Sequence, residues 1–235
     1  MSAGVFRSPD LTTTFEREKT LKEVSSRRAE RWNPENFAQE QMQGLVRQVF
    51  FSNVERPVRQ VVFSAVDRET DLRIICRQVG EALSRETIGS VAVVGENVHV
   101  LQGVNPESIV EDNAVLAGTP LRRIATRVKG NLWLVPVAVK GRIPATTSSL
   151  HAYLGEMRRE FDYSIVEGPP AGESTEATAM AQFADGIILV LSAHHTRRVT
   201  ACKAKEMLQG AKARLLGTVL SDRVFPMPEA IYRRI

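Results

Sequence analysis

The side chains that most often carry catalysis or bind metal are few and scattered in this chain. His194 and His195 are adjacent, but neighbouring side chains on a chain leaving a strand point apart, and no third ligand is spaced nearby. Cys76 and Cys202 are far apart without CxxC spacing, which predicts reduced thiols in the core. No Ser, His and Asp form a recognisable triad. The residues alone therefore predict no catalytic group and no metal site.

The elements that must position any site alternate between strands and helices. Continuous apolar runs predict buried strands at 60–64, 89–94, 132–136, 162–166, 186–191 and 214–220. Apolar residues at helical spacing predict helices at 42–50, 71–84, 150–161 and 176–183, with a further helix capped by Thr196. This alternation predicts an α/β fold with a mostly parallel sheet and helices on both faces.

The amino-terminal stretch differs from the rest of the chain. Residues 1–34 are polar, mixed in charge and without a sustained apolar stripe, which predicts a tail or linker before one domain at 35–235. No apolar core marks a signal peptide, and no apolar run reaches the roughly 18 residues of a membrane span. Cytoplasmic residence is therefore expected.

Several segments resemble, in order and spacing, one known family. They are Phe161–Pro170 (FDYSIVEGPP), Ala184–Val190 (ADGIILV) followed by Thr196, Leu216–Leu220 (LGTVL), the helix Glu40–Ser52 and the stretch Pro228–Ile235. Together they resemble the bacterial tyrosine kinases of capsule and exopolysaccharide systems, within the MinD- and ParA-like P-loop NTPases. The resemblance covers about 36–235 and implies a P-loop NTPase-like three-layer sandwich.

The loop that the resemblance aligns with the phosphate-binding loop departs from the family pattern. It reads Ser64–Leu72 (SAVDRETDL) and has no glycine, although a phosphate cradle needs glycines so that backbone N–H groups can converge. Asp71 stands at the lysine position and Leu72 at that of the magnesium-binding hydroxyl, preceded by Arg68, Glu69 and Thr70. A carboxylate ~4 Å from a phosphate charge costs about 4 kcal/mol at an effective dielectric of ~20.

Other positions that the family uses for nucleotide chemistry differ as well. Gly95 and Asn97 stand where the resemblance expects an aspartate pair, and Glu167 stands at the second acidic position. Ser221 replaces the asparagine on the adenine side, and the tyrosine-rich tail is absent. These losses predict a catalytically inactive, pseudokinase-like protein with no cofactor. An alternative keeps ATP and Mg²⁺, as an unorthodox autokinase or ATPase.

The carboxyl-terminal segment is basic and favours anionic partners. From Thr196 to Ile235 nine Lys or Arg residues oppose three acids, within a chain of net charge +4. The candidate interaction surface comprises Glu40, Gln43, Arg47, Arg197, Arg198, Arg233 and Arg234.

Partners are expected to be proteins first. The resemblance implies a scaffold or regulator that binds a membrane polysaccharide copolymerase, an intact tyrosine kinase of the same system, or both, and that lies at the inner membrane through such a partner. A second alternative is a MinD-like partner at an anionic membrane. Aromatic residues make up only 6% of the chain, so nucleic-acid binding is not expected.

Overall fold

The computed structural model describes residues 34–52, 55–95, 120–136 and 147–222. Nearly all of them lie in one compact unit, Gln39–Val224. The predicted tail lies outside the described residues except for its last position, so the boundary near residue 34 stays a prediction.

Strands and helices alternate along most of the described chain. The strands are β1 (Gln60–Ala65), β2 (Val91–Gly95), β3 (Thr126–Lys129), β4 (Leu132–Pro136), β5 (Tyr163–Gly168), β6 (Gly186–Ser192) and β7 (Leu215–Ser221). The helices are α1 (Pro34–Val46), which continues into a π-helical turn (Arg47–Phe51), α2 (Leu72–Glu86), α3 (Leu121–Ile124), α4 (Thr147–Glu160), α5 (Thr175–Phe183) and α6 (Arg198–Gly210). None of these helices is both long and apolar enough to cross a membrane.

The strands form one sheet in the order β3-β4-β2-β5-β1-β6-β7. Each neighbouring pair is parallel except β3 with β4, which is antiparallel. The mostly parallel sheet predicted from the sequence is therefore confirmed. Because parallel strands end at the same edge, the carboxyl ends of β1, β5 and β6 lie together.

Helices cover both faces of the sheet, as predicted. Side chains alternate along β1, so Val61 and Phe63 pack in the core beneath α1 and α2. Val62 faces the opposite core, where it packs with residues of α4, α5 and α6 such as Met157 and Leu208. The three-layer sandwich is the consequence of this alternation.

Three local predictions from the sequence were incomplete or wrong. The poorly patterned stretch before residue 130 contains α3 and the edge strand β3, which were not predicted. Thr196 does not cap α6: Arg197 occupies the cap position without a side-chain cap bond, and Thr196 bonds elsewhere. Cys76 is a buried thiol, but Cys202 is exposed because it lies on the outer side of α6.

Candidate functional site

A cavity of about 480 Å³ opens at the carboxyl ends of β1 and β5. Its lining residues are Ala65, Asp67, Arg68, Thr70, Leu72, Leu150, Tyr153, Val166, Glu167, Gly168, Pro169, Pro170, Glu176 and Met180. Ligands of open α/β sheets bind at this edge, where neighbouring strands connect to helices on opposite faces. The cavity is therefore the candidate ligand site.

The 66–71 loop, which joins β1 to α2, is held by the carboxylate of Asp67. The Thr196 hydroxyl donates to Asp67 Oδ2 at 2.6 Å, and the Thr70 hydroxyl donates to Oδ1 at 2.9 Å. The backbone N–H groups of Glu69 and Thr70 lie close enough to this carboxylate to lower its pKa. Thr196 in turn accepts the N–H of Ser192 at 2.9 Å. Asp67 thus ties the loop to the end of β6.

These hydrogen bonds determine the charge state of Asp67. Partial burial by itself raises the pKa of the Asp67 carboxyl, but the hydroxyls of Thr196 and Thr70 and the nearby backbone N–H groups of Glu69 and Thr70 outweigh it. The net pKa lies below its ordinary value. The cavity therefore has a carboxylate anion in its wall at neutral pH.

Asp71 caps α2 instead of facing a ligand. Its Oδ1 accepts the N–H of Arg73 at 3.0 Å, and the Arg73 guanidinium bonds both carboxylate oxygens. The hydrogen bonds from Arg73 hold the pKa of Asp71 below its ordinary value. Asp71, which stands at the position of the family lysine, therefore caps α2 and pairs with Arg73.

The remaining predicted loop positions point in different directions. Arg68 and Thr70 line the cavity, and Arg68 pairs with Glu173 at 2.6 Å on the exposed side. Glu69 is exposed and does not line the cavity. Leu72, at the position of the magnesium-binding hydroxyl, is a core residue with 6% of its surface exposed.

Glu167 lies between the main cavity and a small void of about 10 Å³. Gly95, Arg73 and Cys76 also line that void, so Glu167 and Gly95 border the same space. Burial, together with the charges of Glu167 and Asp71, raises the pKa of the Cys76 thiol well above its ordinary value. Asn97 lies outside the described residues.

The other predicted residues lie away from the cavity. Ser221 is at the end of β7, where its hydroxyl donates to Leu191 O and Asp222 Oδ2, and it does not line the cavity. The candidate interaction residues are split between the two faces. Glu40, Gln43 and Arg47 belong to α1 and its π-helical turn, whereas Arg197 and Arg198 begin α6. Arg233 and Arg234 lie outside the described part of the chain.

A second exposed feature, here called the front surface, lies at the amino edge of the sheet and comprises Arg47, Phe51, Glu86 and Ile88. Arg47 pairs with Glu86 at 2.8 Å, which links the π-helical turn to the end of α2. Phe51 is 41% exposed, and its ring contacts the Tyr163 ring edge-on. Ile88 is fully exposed and lies shortly before β2 in the sequence. Exposed apolar side chains beside charges are typical of protein contacts.

The residues around the cavity do not fit an Mg²⁺-nucleotide in their present arrangement. The acids Asp67, Glu167 and Glu176 line the cavity with a single Arg, so the lining repels phosphate. The N–H of Arg73, in the first turn of α2, donates to the Asp71 carboxylate. Within the described ranges, no three His, Cys, Asp or Glu residues are grouped as a metal site.

The residues that matter most for the loop geometry are Asp67, Thr196 and Arg73. The sequence analysis named Thr196 only as a helix cap and as part of the resemblance, and it did not select Asp67 or Arg73. Asp67 and Thr70 have the D-x-x-T spacing of a local side-chain-to-backbone cap, so this part carried a signal. Thr196 is 129 positions away from Asp67, and no local pattern could connect them.

Comparisons with known proteins support one family, although no family model matches the chain. The chain is 33% identical over 91 residues to the tyrosine-protein kinase CpsD of Streptococcus agalactiae serotype III (strain NEM316), which covers 36% of this chain and 39% of that kinase. It is 23% identical over 206 residues to the tyrosine-protein kinase YwqD of Bacillus subtilis (strain 168), covering 81% of this chain and 83% of that protein. The chain thus spans well under half of the CpsD kinase it matches.

Solved structures show the same fold. The chimerical protein CapA2B2 superposes with a TM-score of 0.65 at 15% identity, covering 82% of this chain and 86% of that one. The cell division protein MinD of Aquifex aeolicus superposes with a TM-score of 0.55 at 18% identity, covering 69% of each chain. The expected P-loop NTPase-like fold is therefore confirmed.

One expectation from the sequence is contradicted by these relatives. The altered loop, together with Gly95, Glu167, Ser221 and the missing tyrosine-rich tail, led to the prediction that the chain is not an enzyme, but the relatives it matches are named tyrosine-protein kinases. That prediction inferred loss of activity from departures in the sequence alone.

Proposed function

We propose that the chain is a member of the bacterial tyrosine kinase family of capsule and exopolysaccharide synthesis, and that it serves such a system through contact with protein partners at its front surface. The partner that the resemblance favours is the cytoplasmic end of a membrane polysaccharide copolymerase, which would place the chain at the inner membrane. An intact tyrosine kinase of the same system is the other partner to test.

The observation that carries this proposal is the front surface itself. The helix Glu40–Ser52 of the resemblance is present as α1 and its π-helical turn. This turn leaves Phe51 partly exposed beside the Arg47–Glu86 pair. Phe51 packs on Tyr163, and the Tyr163 N–H donates to Ser90 O, two residues after Ile88. These contacts place an aromatic ring, an aliphatic side chain and both charges on one edge of the sheet.

The test is binding of the purified chain to the cytoplasmic segment of the copolymerase encoded with it. Ile88→Asp should weaken binding at least about tenfold, because a charge would replace a fully exposed apolar contact. Val199→Asp is the matched control, since Val199 is 66% exposed on α6, across the sheet. Equal losses in both variants, or no binding by the unchanged chain to either partner, would refute the proposal.

A second candidate function, an unorthodox ATP-dependent autokinase or ATPase, is favoured by the names of the relatives. The cavity lies at the ligand-binding edge, and Arg68 and Glu167 line it. Incubation with radiolabelled ATP and Mg²⁺ tests this candidate. Label on the chain or released phosphate would support it, and neither product at high protein concentration would exclude it.

A further inference from the structure

The two outer strands of the sheet, β3 and β7, are built in opposite ways. β3 is four residues long, carries Arg127 and Lys129, and has an irregular register with β4 between those two residues. Short length, cations and irregular pairing are features that keep an outer strand from pairing with another chain. β7 is seven residues long and contains neither a charged residue nor a proline. β7 therefore lacks the features that protect β3.

The backbone of β7 presents hydrogen-bonding groups to the outside of the sheet. Its pairing with β6 is irregular only near the amino end of the strand. The Ser221 C=O accepts the N–H of Ala193 and is thus directed toward the end of β6. Because backbone groups alternate in direction along a strand, Thr218 and Leu220 direct their N–H and C=O groups away from β6. Both residues are exposed, Leu220 by 57%, and β6 is the only described strand that pairs with β7.

Cations surround this open strand. From Arg197 to Asp222, six Lys or Arg residues oppose two acids. Lys212 and Arg214 lie directly before β7 and are exposed, and α6, which packs on β7, carries further exposed cations such as Lys203. Within the described part of the chain, none of the six cations forms an ion pair with an acid. This positive charge opposes a second copy of the chain and favours an acidic partner.

We propose that β7 is the docking site for an extended, acidic segment of a protein partner, which adds to the sheet as a further strand. The segment bonds to the outward N–H and C=O groups of Thr218 and Leu220, and its carboxylates lie beside Lys212 and Arg214. None of these four residues belongs to the cavity lining or to the front surface. The inference therefore goes beyond the proposed function.

The competing explanation is unspecific attraction of any anionic peptide to the cations. Two synthetic peptides separate the explanations. The first alternates valine and glutamate, so it combines strand propensity with negative charge. The second has the same side chains but a methyl group on each backbone nitrogen, so it keeps the charge and loses the N–H donors that a strand needs.

The experiment is calorimetric titration of the full chain with each peptide. The unchanged chain should bind the valine–glutamate peptide at least about tenfold more tightly than its N-methylated form, because the strand bonds are lost. The amide resonances of Thr218 and Leu220 should shift with the first peptide, whereas those of Thr126 and Val128 in β3 should not. No binding, equal affinities for the two peptides, or shifts in β3 alone would overturn the proposal.

A pair of variants at one position of β7 extends the test. Thr218→Pro removes an outward N–H that β6 does not use, so the fold should be retained while the affinity for the valine–glutamate peptide falls at least about fivefold. Thr218→Val is the matched control, because it keeps the N–H and a β-branched side chain, and it should bind within about twofold of the unchanged chain. Equal affinities in the two variants would contradict strand addition.

Two further outcomes are decided by the same measurements. If Thr218→Pro failed to fold, the comparison of the two peptides on the unchanged chain would still support or overturn the proposal. Self-association of the unchanged chain that Thr218→Pro abolished would assign β7 to a second copy and overturn it. Because no copolymerase is used, these outcomes are independent of the test of the front surface.

Discussion

The two edges of the sheet hold an aspartate in similar ways but with different partners. At the amino edge, Asp185 accepts the N–H groups of Arg59 and Gln60, both at 2.8 Å, and pairs with Arg158 at 2.7 Å. At the carboxyl edge, Asp67 accepts the hydroxyls of Thr70 at 2.9 Å and Thr196 at 2.6 Å.

The difference lies in what neutralises the charge. A guanidinium balances Asp185, so this carboxylate completes a structural junction between β1, α4 and β6. Threonine hydroxyls hold Asp67 in the wall of an open cavity, so its charge faces the candidate ligand site. Hydrogen bonds to an aspartate therefore join strands and a helix at one edge and shape the wall of the cavity at the other.

The largest expected effect is at the amino edge. Asp185→Ala should lower the free energy of unfolding by about 2–3 kcal/mol, because two N–H groups and Arg158 lose their acceptor. Urea denaturation measures it, with Asp185→Asn as the control that keeps an acceptor. If Asp67→Ala lowered the free energy of unfolding by as much as Asp185→Ala, the proposed contrast between the two edges would be refuted.

Two tightly packed glycines, one near each edge of the sheet, should respond differently to substitution. A Cβ on Gly186 would lie 2.5 Å from Leu216 Cγ and 2.7 Å from Arg214 O, so Gly186→Ala should cost about 1–3 kcal/mol. A Cβ on Gly172 would lie 2.5 Å from Val66 O, so Gly172→Ala should instead shift the 66–71 loop. Amide chemical shifts of that loop should change in Gly172→Ala alone; changes in both variants would contradict this separation.

The pH dependence of stability should reveal the bonds of Asp67. Its folded-state pKa is lowered, so its stabilisation is present above the unfolded value of about 3.9 and is lost as the pH falls through the folded value. The difference in unfolding free energy between the unchanged chain and Asp67→Asn should therefore shrink from pH 6 to pH 3. A difference that grows in acid would mean that the pKa is raised.

The smallest expected effect is at the exposed rim of the cavity. Arg68 pairs with Glu173, but 79% of its side chain is exposed, so Arg68→Ala should change the unfolding free energy by less than about 0.5 kcal/mol. Thermal unfolding of Arg77→Ala, which removes the half-buried Arg77–Glu81 pair on α2, provides the comparison. A loss above about 1 kcal/mol would assign Arg68 a structural role.

The sequence predicted the buried layers better than the edge elements. Continuous apolar runs such as 186–191 require burial on both faces, so six strands were found near their observed bounds. Strand β3 has one partly buried apolar residue, Val128, and pairs with a single neighbour. Gly130, which has a φ of 57°, forms the turn between β3 and β4, and this glycine was the available sequence signal for the hairpin.

The site was only partly predictable for a physical reason. Asp71 precedes a helix and its capping role follows from local rules. The Asp67–Thr196 bond depends on how β1 and β6 align in the sheet, which no local pattern specifies. The loop residues were informative about altered chemistry, but they could not decide whether the chain is an enzyme.

The most direct test of the central claim is hydrogen exchange at the amides of Glu69 and Thr70 in the unchanged chain without ligand. Because their N–H groups lie close to the Asp67 carboxylate and lower its pKa, we expect both amides to be protected, and Asp67→Ala should remove the protection while Glu69→Gln leaves it at Thr70. Rapid exchange of both amides in the unchanged chain would show that the carboxylate does not hold the loop donors, and would contradict the account.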